Sequence, residues 1–165
     1  MKSLPPDAKV TFAYMENGAA RMSGPLTTDH NAALKGLHMP SGIAGADASP
    51  YFCLSDLAKK WPSNDRSARR EVVMISDGMD NYGSHRDLQD PYMEAAITDS
   101  VRSGLVVYSI YWQNKGRINH GVFGNTFGQN LLLQVTQATG GNSYWMGTGN
   151  PVSFQPFFKD RNGGC

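Results

Sequence analysis

The sequence predicts an open α/β domain, a mostly parallel sheet with helices on both faces. Three observations carry that reading. The β-branched run Glu71-Val72-Val73-Met74-Ile75-Ser76 ends abruptly in Asp77-Gly78. A buried parallel strand ends this way when it presents a carboxylate at its carboxyl end, outside which open α/β sheets bind their ligands. A second apolar run, residues 105–112, follows after one helix-length segment, so the two runs and the helix between them make a βαβ unit with an acid at its mouth. The second run is apolar on both faces at its start, as in a strand covered on both sides.

The remaining elements follow in chain order. Residues 8–15 alternate at their start and read as a strand, Glu16-Asn17-Gly18 is a hairpin signal, and residues 19–23 return as a second strand. Thr28 or Asp29 caps a short helix through Leu37, with Ala33, Leu34 and Leu37 on one face. A glycine-rich loop covers 39–48. Ser49-Pro50 opens the next helix, because serine suits the cap and proline lacks only an N–H that would have been an orphan. Tyr51, Leu54, Leu57, Ala58 and Trp61 recur at helical spacing as its buried stripe, and Pro62 ends it. Residues 63–70 are a polar connector to the strand that ends at Asp77.

Asp90-Pro91 repeats the cap-plus-proline opening. Tyr92, Ala96, Ile97 and Val101 form the expected inner face of this helix, and Gly104 supplies a left-handed stop. After the strand at 105–112, residues 114–125 read as an irregular loop. Leu131, Leu132, Val135 and Ala138 mark another helix, closed by Gly140-Gly141. Residues 143–146 suit a short last strand, and 151–159 the start of a last helix. Tyr108, Tyr111, Trp112, Tyr144 and Trp145 read as sheet or core packing rather than as a stacking surface.

The bulk numbers exclude several function classes. With 165 residues, 40% of them hydrophobic and 18% charged, the chain suits one globular domain spanning 1–165. A net charge of +1 offers no basic field for nucleic acid. The longest apolar run is too short to span a bilayer. The opening Met1-Lys2-Ser3-Leu4-Pro5-Pro6-Asp7 lacks the apolar core of a signal peptide. Cys53 and Cys165 are too sparse for a disulfide framework or a metal motif and read as free thiols.

The strand-Ser76-Asp77-Gly78 signature, the later buried strand and the stretch Gly24-Pro25-Leu26-Thr27-Thr28-Asp29 after a hairpin resemble the von Willebrand factor A (VWA) family. The segment from Ser49 to Leu57 and Ala138-Thr139-Gly140-Gly141 are similar to the bacterial VWFA-related proteins of the acidobacterial type. The resemblance covers nearly the whole chain. It implies a Rossmann-like fold and a non-enzymatic, protein-binding role. In that family a divalent ion (Mg²⁺, or Mn²⁺ or Ca²⁺ in its place) is held by oxygen ligands from three loops, and a partner protein's carboxylate completes the coordination. Such chemistry suits a hard cation.

Carried over residue by residue, the resemblance makes Asp77 the third-loop aspartate and Ser49 the counterpart of the second-loop threonine. The first-loop motif Asp-x-Ser-x-Ser is absent, so the metal site is incomplete in this chain. The family's first strand, central in its sheet, would lie before Met1, and the expectation is a truncated frame or a mis-assigned start. Relatives are often exported, but no residue here identifies a compartment. Two other readings stand beside this one. The first is a structural remnant with the fold and no metal function. The second is a metal-assisted hydrolase using the Asp77–Asp90 loop, where Asp80, His85, Asp87 and Asp90 cluster after the strand and His85 would be ligand or base. That spacing matches no ligand pattern, and Asp90 already has a capping role.

Overall fold

The computed structural model describes residues 4–38, 49–80, 90–112 and 122–145, with 122–125 described by backbone alone. The loops at 39–48 and 81–89, with His85 and Asp87, and the expected last helix at 151–159 lie outside the described residues.

The chain opens with a hairpin of β1 (Ala13–Glu16) and β2 (Ala19–Met22), paired antiparallel with Glu16 opposite Ala19. Asn17 and Gly18 both take positive φ, 48° and 70°, the two-residue turn whose twist matches the strands it joins. The first strand is shorter than the expected 8–15. Ser23 N–H donates to the Phe12 carbonyl, the Thr11 hydroxyl donates to the Gly24 carbonyl at 2.7 Å, and the next backbone pairing is the Val10–Thr27 bridge. The return side therefore spends more residues than the outgoing side, and Gly24-Pro25-Leu26 bulges out. Pro25 has no N–H with which to continue a ladder.

Helix α1 (His30–Lys35) starts where Asp29 predicts, with the Asp29 carboxylate accepting from Asn31 N and Ala32 N. Helix α2 (Pro50–Lys59) starts at Ser49. Strand β3 (Arg70–Ser76), helix α3 (Pro91–Ser103) and strand β4 (Leu105–Tyr111) form the predicted βαβ unit, β3 and β4 running parallel with Val72 opposite Val107. Gly104 has φ 68° and closes α3 as expected. Helix α4 (Val122–Ala138) leads to β5 (Ser143–Tyr144), which joins the other edge of β4 in parallel.

Other sequence expectations shift. Helix α4 begins at Val122, inside the expected loop; Gly124 and Gly128, poor helix formers, hide its first turns from a propensity reading. On α3 the fully buried stripe is Met93, Ala96 and Ser100, while Val101 is exposed. Tyr92 and Ile97 of the expected face pack against the core at partial burial. Of the five aromatics read as packing, Tyr111 is in the core, Tyr108 and Tyr144 are half-buried, and Trp112 and Trp145 are about half exposed.

The core gathers Met74, Leu105, Val107 and Tyr111 from the sheet with Tyr51, Leu54 and Ala58 of α2, Met93 and Ala96 of α3, and Leu131, Leu132 and Val135 of α4. Successive strand residues face opposite ways, so these sheet residues share one face. Strand β4, flanked on both sides, is buried almost throughout. Strand β3 is less buried than its composition predicts: Val73 is 40% and Ile75 51% exposed while Met74 between them is buried, so among the described residues the face of β3 opposite the core is open. The hairpin forms a separate sheet. It is held by α2: Asp56 Oδ2 accepts from Ala20 N at 3.2 Å, and Phe52 packs beside Gly18.

Candidate functional site at the carboxyl end of β3

The mouth of the sheet is a turn built from four residues in sequence. Strand β3 makes its last ladder bond where Trp112 N donates to the Ser76 carbonyl at 2.9 Å. The chain then leaves the sheet. Ser76 Oγ accepts from Gly78 N at 3.0 Å, and Asp77 Oδ1 accepts from Met79 N at 3.2 Å. Short polar side chains bonding two residues ahead impose such a turn locally. Gly78 has φ 69°, a conformation side chains resist.

Helix α4 seats this turn from one side. A Cβ on Gly78 would lie 2.2 Å from the Gly128 carbonyl oxygen, and a Cβ on Gly128 would lie 2.1 Å from the Asp77 carbonyl oxygen. Two glycines in apposition thus let the Asp77 backbone rest directly on α4. Helix α2 holds the turn from the other side: the buried Tyr51 hydroxyl donates to the Gly78 carbonyl at 2.6 Å.

Ser49 stands at the amino end of α2 and is 1% exposed. Its Oγ accepts a long bond from Phe52 N, 3.4 Å, and donates to Asp80 Oδ2 at 3.0 Å. The hydroxyl therefore caps the helix weakly and tethers the helix to the β3 turn. Asp90, buried as the cap of α3, accepts from Tyr92 N at 2.8 Å and Met93 N at 3.1 Å.

The electrostatics of the mouth register on two phenols. Burial, and then the charges of Asp90, Asp80 and Asp77, push the Tyr51 hydroxyl well above its ordinary pKa. Burial and Asp77 raise Tyr111 in the same way. Tyr51 thus stays protonated and keeps donating to Gly78.

Both residues expected at a metal site stand at this mouth, Asp77 at the strand end and Ser49 on the facing helix. The direct bond from Ser49 goes to Asp80, which the sequence reading placed in a different cluster. Among the described residues no three His, Cys, Asp or Glu side chains form a metal cage. The donors present are of the right kind for a hard cation, oxygens only, but two carboxylates and a hydroxyl fall short of six ligands. The residue that sequence reasoning missed is Tyr51, assigned to the apolar stripe of α2. A signal existed: a fully buried tyrosine needs a partner for its hydroxyl, and this one follows a helix-capping Ser-Pro.

No protein-family model and no characterised protein sequence matches the chain. Among solved structures it is similar to an aerotolerance-related membrane protein of Bacteroides fragilis, crystallised with multiple mutations to serine. The two align with a TM-score of 0.60 over 89% of this chain and 74% of that one, at 17% identity. At that identity the likeness shows the fold, and the chain has the Rossmann-like, VWA-like arrangement of a mostly parallel sheet with helices.

Proposed function

We propose that the chain is an adhesion-type, protein-binding module whose mouth supplies part of a divalent-cation site, through which a partner's carboxylate is gripped. Asp77 and Ser49 are the residues assigned to the ion, with Asp80 beside them, and Mg²⁺ or Mn²⁺ is the ion the oxygen donors suit. The observation that carries the reading is the Ser49–Asp80 bond, which draws the amino end of α2 onto the acidic turn after β3. The Ser49 hydroxyl and the Asp80 carboxylate meet there, with Asp77 in the same turn. The partner acts as the ligand, and the module does no chemistry of its own.

The hydrolase alternative loses one of its four residues, since both Asp90 contacts serve the α3 cap. The remnant alternative differs from the proposal in a single measurable property. Titrating the chain with MgCl₂ or MnCl₂ while following heat and thermal midpoint should show weak saturable binding that Asp77→Ala abolishes. An unchanged midpoint for both proteins, with no heat, would leave the structural remnant as the correct reading.

A further inference from the structure

One end of the domain carries an outward layer of positive charge. The stretch from Lys59 to Arg70, which joins α2 to β3, holds five basic residues and a single acid, Asp65. Arg70 folds this connector against the end of α3 by donating to the Ser63, Asp65 and Ser103 carbonyls. Arg102, exposed in the last turn of α3, stands at the same end. The ion pairs there do not cancel the charge. In Lys59–Asp99, Lys60–Asp56 and Arg69–Glu71 the basic side chains are 63%, 74% and 68% exposed, and the acids 17%, 20% and 18%. The carboxylates are recessed and the cations stand outermost. Arg66 is exposed as well.

The connector's backbone limits what can bind there. Ser63 Oγ accepts from Asp65 N at 3.2 Å, and Asp65 Oδ1 accepts from Ser67 N at 2.9 Å. Turn N–H groups of this kind can cradle a single phosphate or carboxylate, but these are taken by the connector's own side chains. Trp61, its one aromatic residue, packs against the core, so no ring is offered for base stacking. What remains is a set of long, rotatable side chains with charged tips, spread over two helix ends and a loop. Such a face suits a laterally mobile anionic surface better than a ligand of fixed shape. The chain's own remaining segments hold no acidic run to cover it. The acids outside the described residues are Asp47, Asp87 and Asp160, each isolated in sequence, against six basic residues.

We infer that this end rests on an anionic bilayer surface, held by attraction between its outer Lys and Arg side chains and the headgroup phosphates of acidic lipids. The acidic mouth lies at the other end of β3, a strand of seven residues and so about 20 Å away. A domain seated this way turns the mouth away from the bilayer. The inference is independent of any bound cation.

The test uses the full chain with a metal chelator present, so its outcome does not depend on the ion. The probes are vesicles of phosphatidylcholine alone and vesicles containing about one-third phosphatidylglycerol. The chain should sediment with the anionic vesicles at low salt, not with the neutral ones, and should be released as salt is raised. Arg66→Glu should weaken partitioning by at least about fivefold and Arg66→Glu/Arg102→Glu by at least about twentyfold, at roughly fivefold per basic residue near the surface. Lys35→Glu makes the same charge change on α1 and should have a smaller effect. Thermal midpoints should match the parent throughout, because the replaced side chains are exposed. Equal binding to both vesicle types, binding to neither, undiminished binding by the double variant, or an equal loss in Lys35→Glu would overturn the proposal. So would retention of the chain on duplex DNA or poly-glutamate with the anionic vesicles left unbound.

Discussion

Gly128→Ala sets two opposed effects against each other inside α4, and the structure decides the sign. Alanine is favoured over glycine in a helix by about 1 kcal/mol. Here, however, the new Cβ would lie 2.1 Å from the Asp77 carbonyl oxygen. Ordinary contact begins near 3.4 Å, so helix and turn must part by more than an ångström. The turn cannot yield freely, because Tyr51 holds the Gly78 carbonyl and the Gly78 backbone is itself against α4. Overpacking a close-packed site of this kind costs about 3 kcal/mol. Net of the helix gain, the variant should lose about 2 kcal/mol, which for a chain of this size lowers the thermal midpoint by roughly 4–8 °C. Gly104→Ala is the control: its φ is 68° but nothing lies within 4 Å, so it carries the conformational cost alone, about 1 kcal/mol. Thermal unfolding followed by circular dichroism reads both. A raised midpoint for Gly128→Ala would show that helix propensity wins and that α4 does not seat the Asp77 turn as described.

Other consequences follow from the same contacts. Tyr51→Phe leaves the buried Gly78 carbonyl without its donor and should cost about 1–2 kcal/mol in denaturant unfolding, with no change in secondary structure. Cys53 is buried, and burial followed by the Asp56 charge pushes its thiol up to about 11, so the native chain should resist thiol reagents at neutral pH and react on unfolding. Stability should also fall in alkali. Cys53, Tyr51 and Tyr111 all have raised folded pKa values, so their contributions are intact below the unfolded values of 9.0 and 10.0 and are lost as pH climbs past them. A denaturant midpoint that stays flat from pH 8 to pH 11 would contradict this. Asp56 and Asp99 work in the opposite direction: hydrogen bonds from Lys60 and Lys59 lower them, so their contributions are lost only as pH drops below the ordinary 3.8.

Local chemistry made most of the fold legible. Asp29, Ser49 and Asp90 each cap the helix expected of them, because a short polar side chain before a helical run has few other uses. The Asn17-Gly18 turn and the Gly104 stop were readable for the same reason. What escaped depends on tertiary placement. No local signal shows that Gly128 meets Asp77, since its meaning lies in a residue 51 positions away. The exposure of Val73 and Ile75 follows from their lying on the face of β3 opposite Met74 and the core, whereas composition reports only β propensity. Of the site, Asp77 and Ser49 were visible as a strand end and a cap. Their connection through Asp80 and Tyr51 was not, because it exists only when α2 is laid against the turn.

The proposed cation site joins the turn after β3 to the amino end of α2. Paramagnetic broadening by Mn²⁺ in amide NMR spectra locates such a site directly. Selective loss of the Gly78, Met79, Asp80 and Ser49 signals is expected at substoichiometric Mn²⁺, reversed by excess Mg²⁺ and absent in Asp77→Asn. Broadening centred elsewhere, or broadening at this mouth that persists in Asp77→Asn, would contradict it.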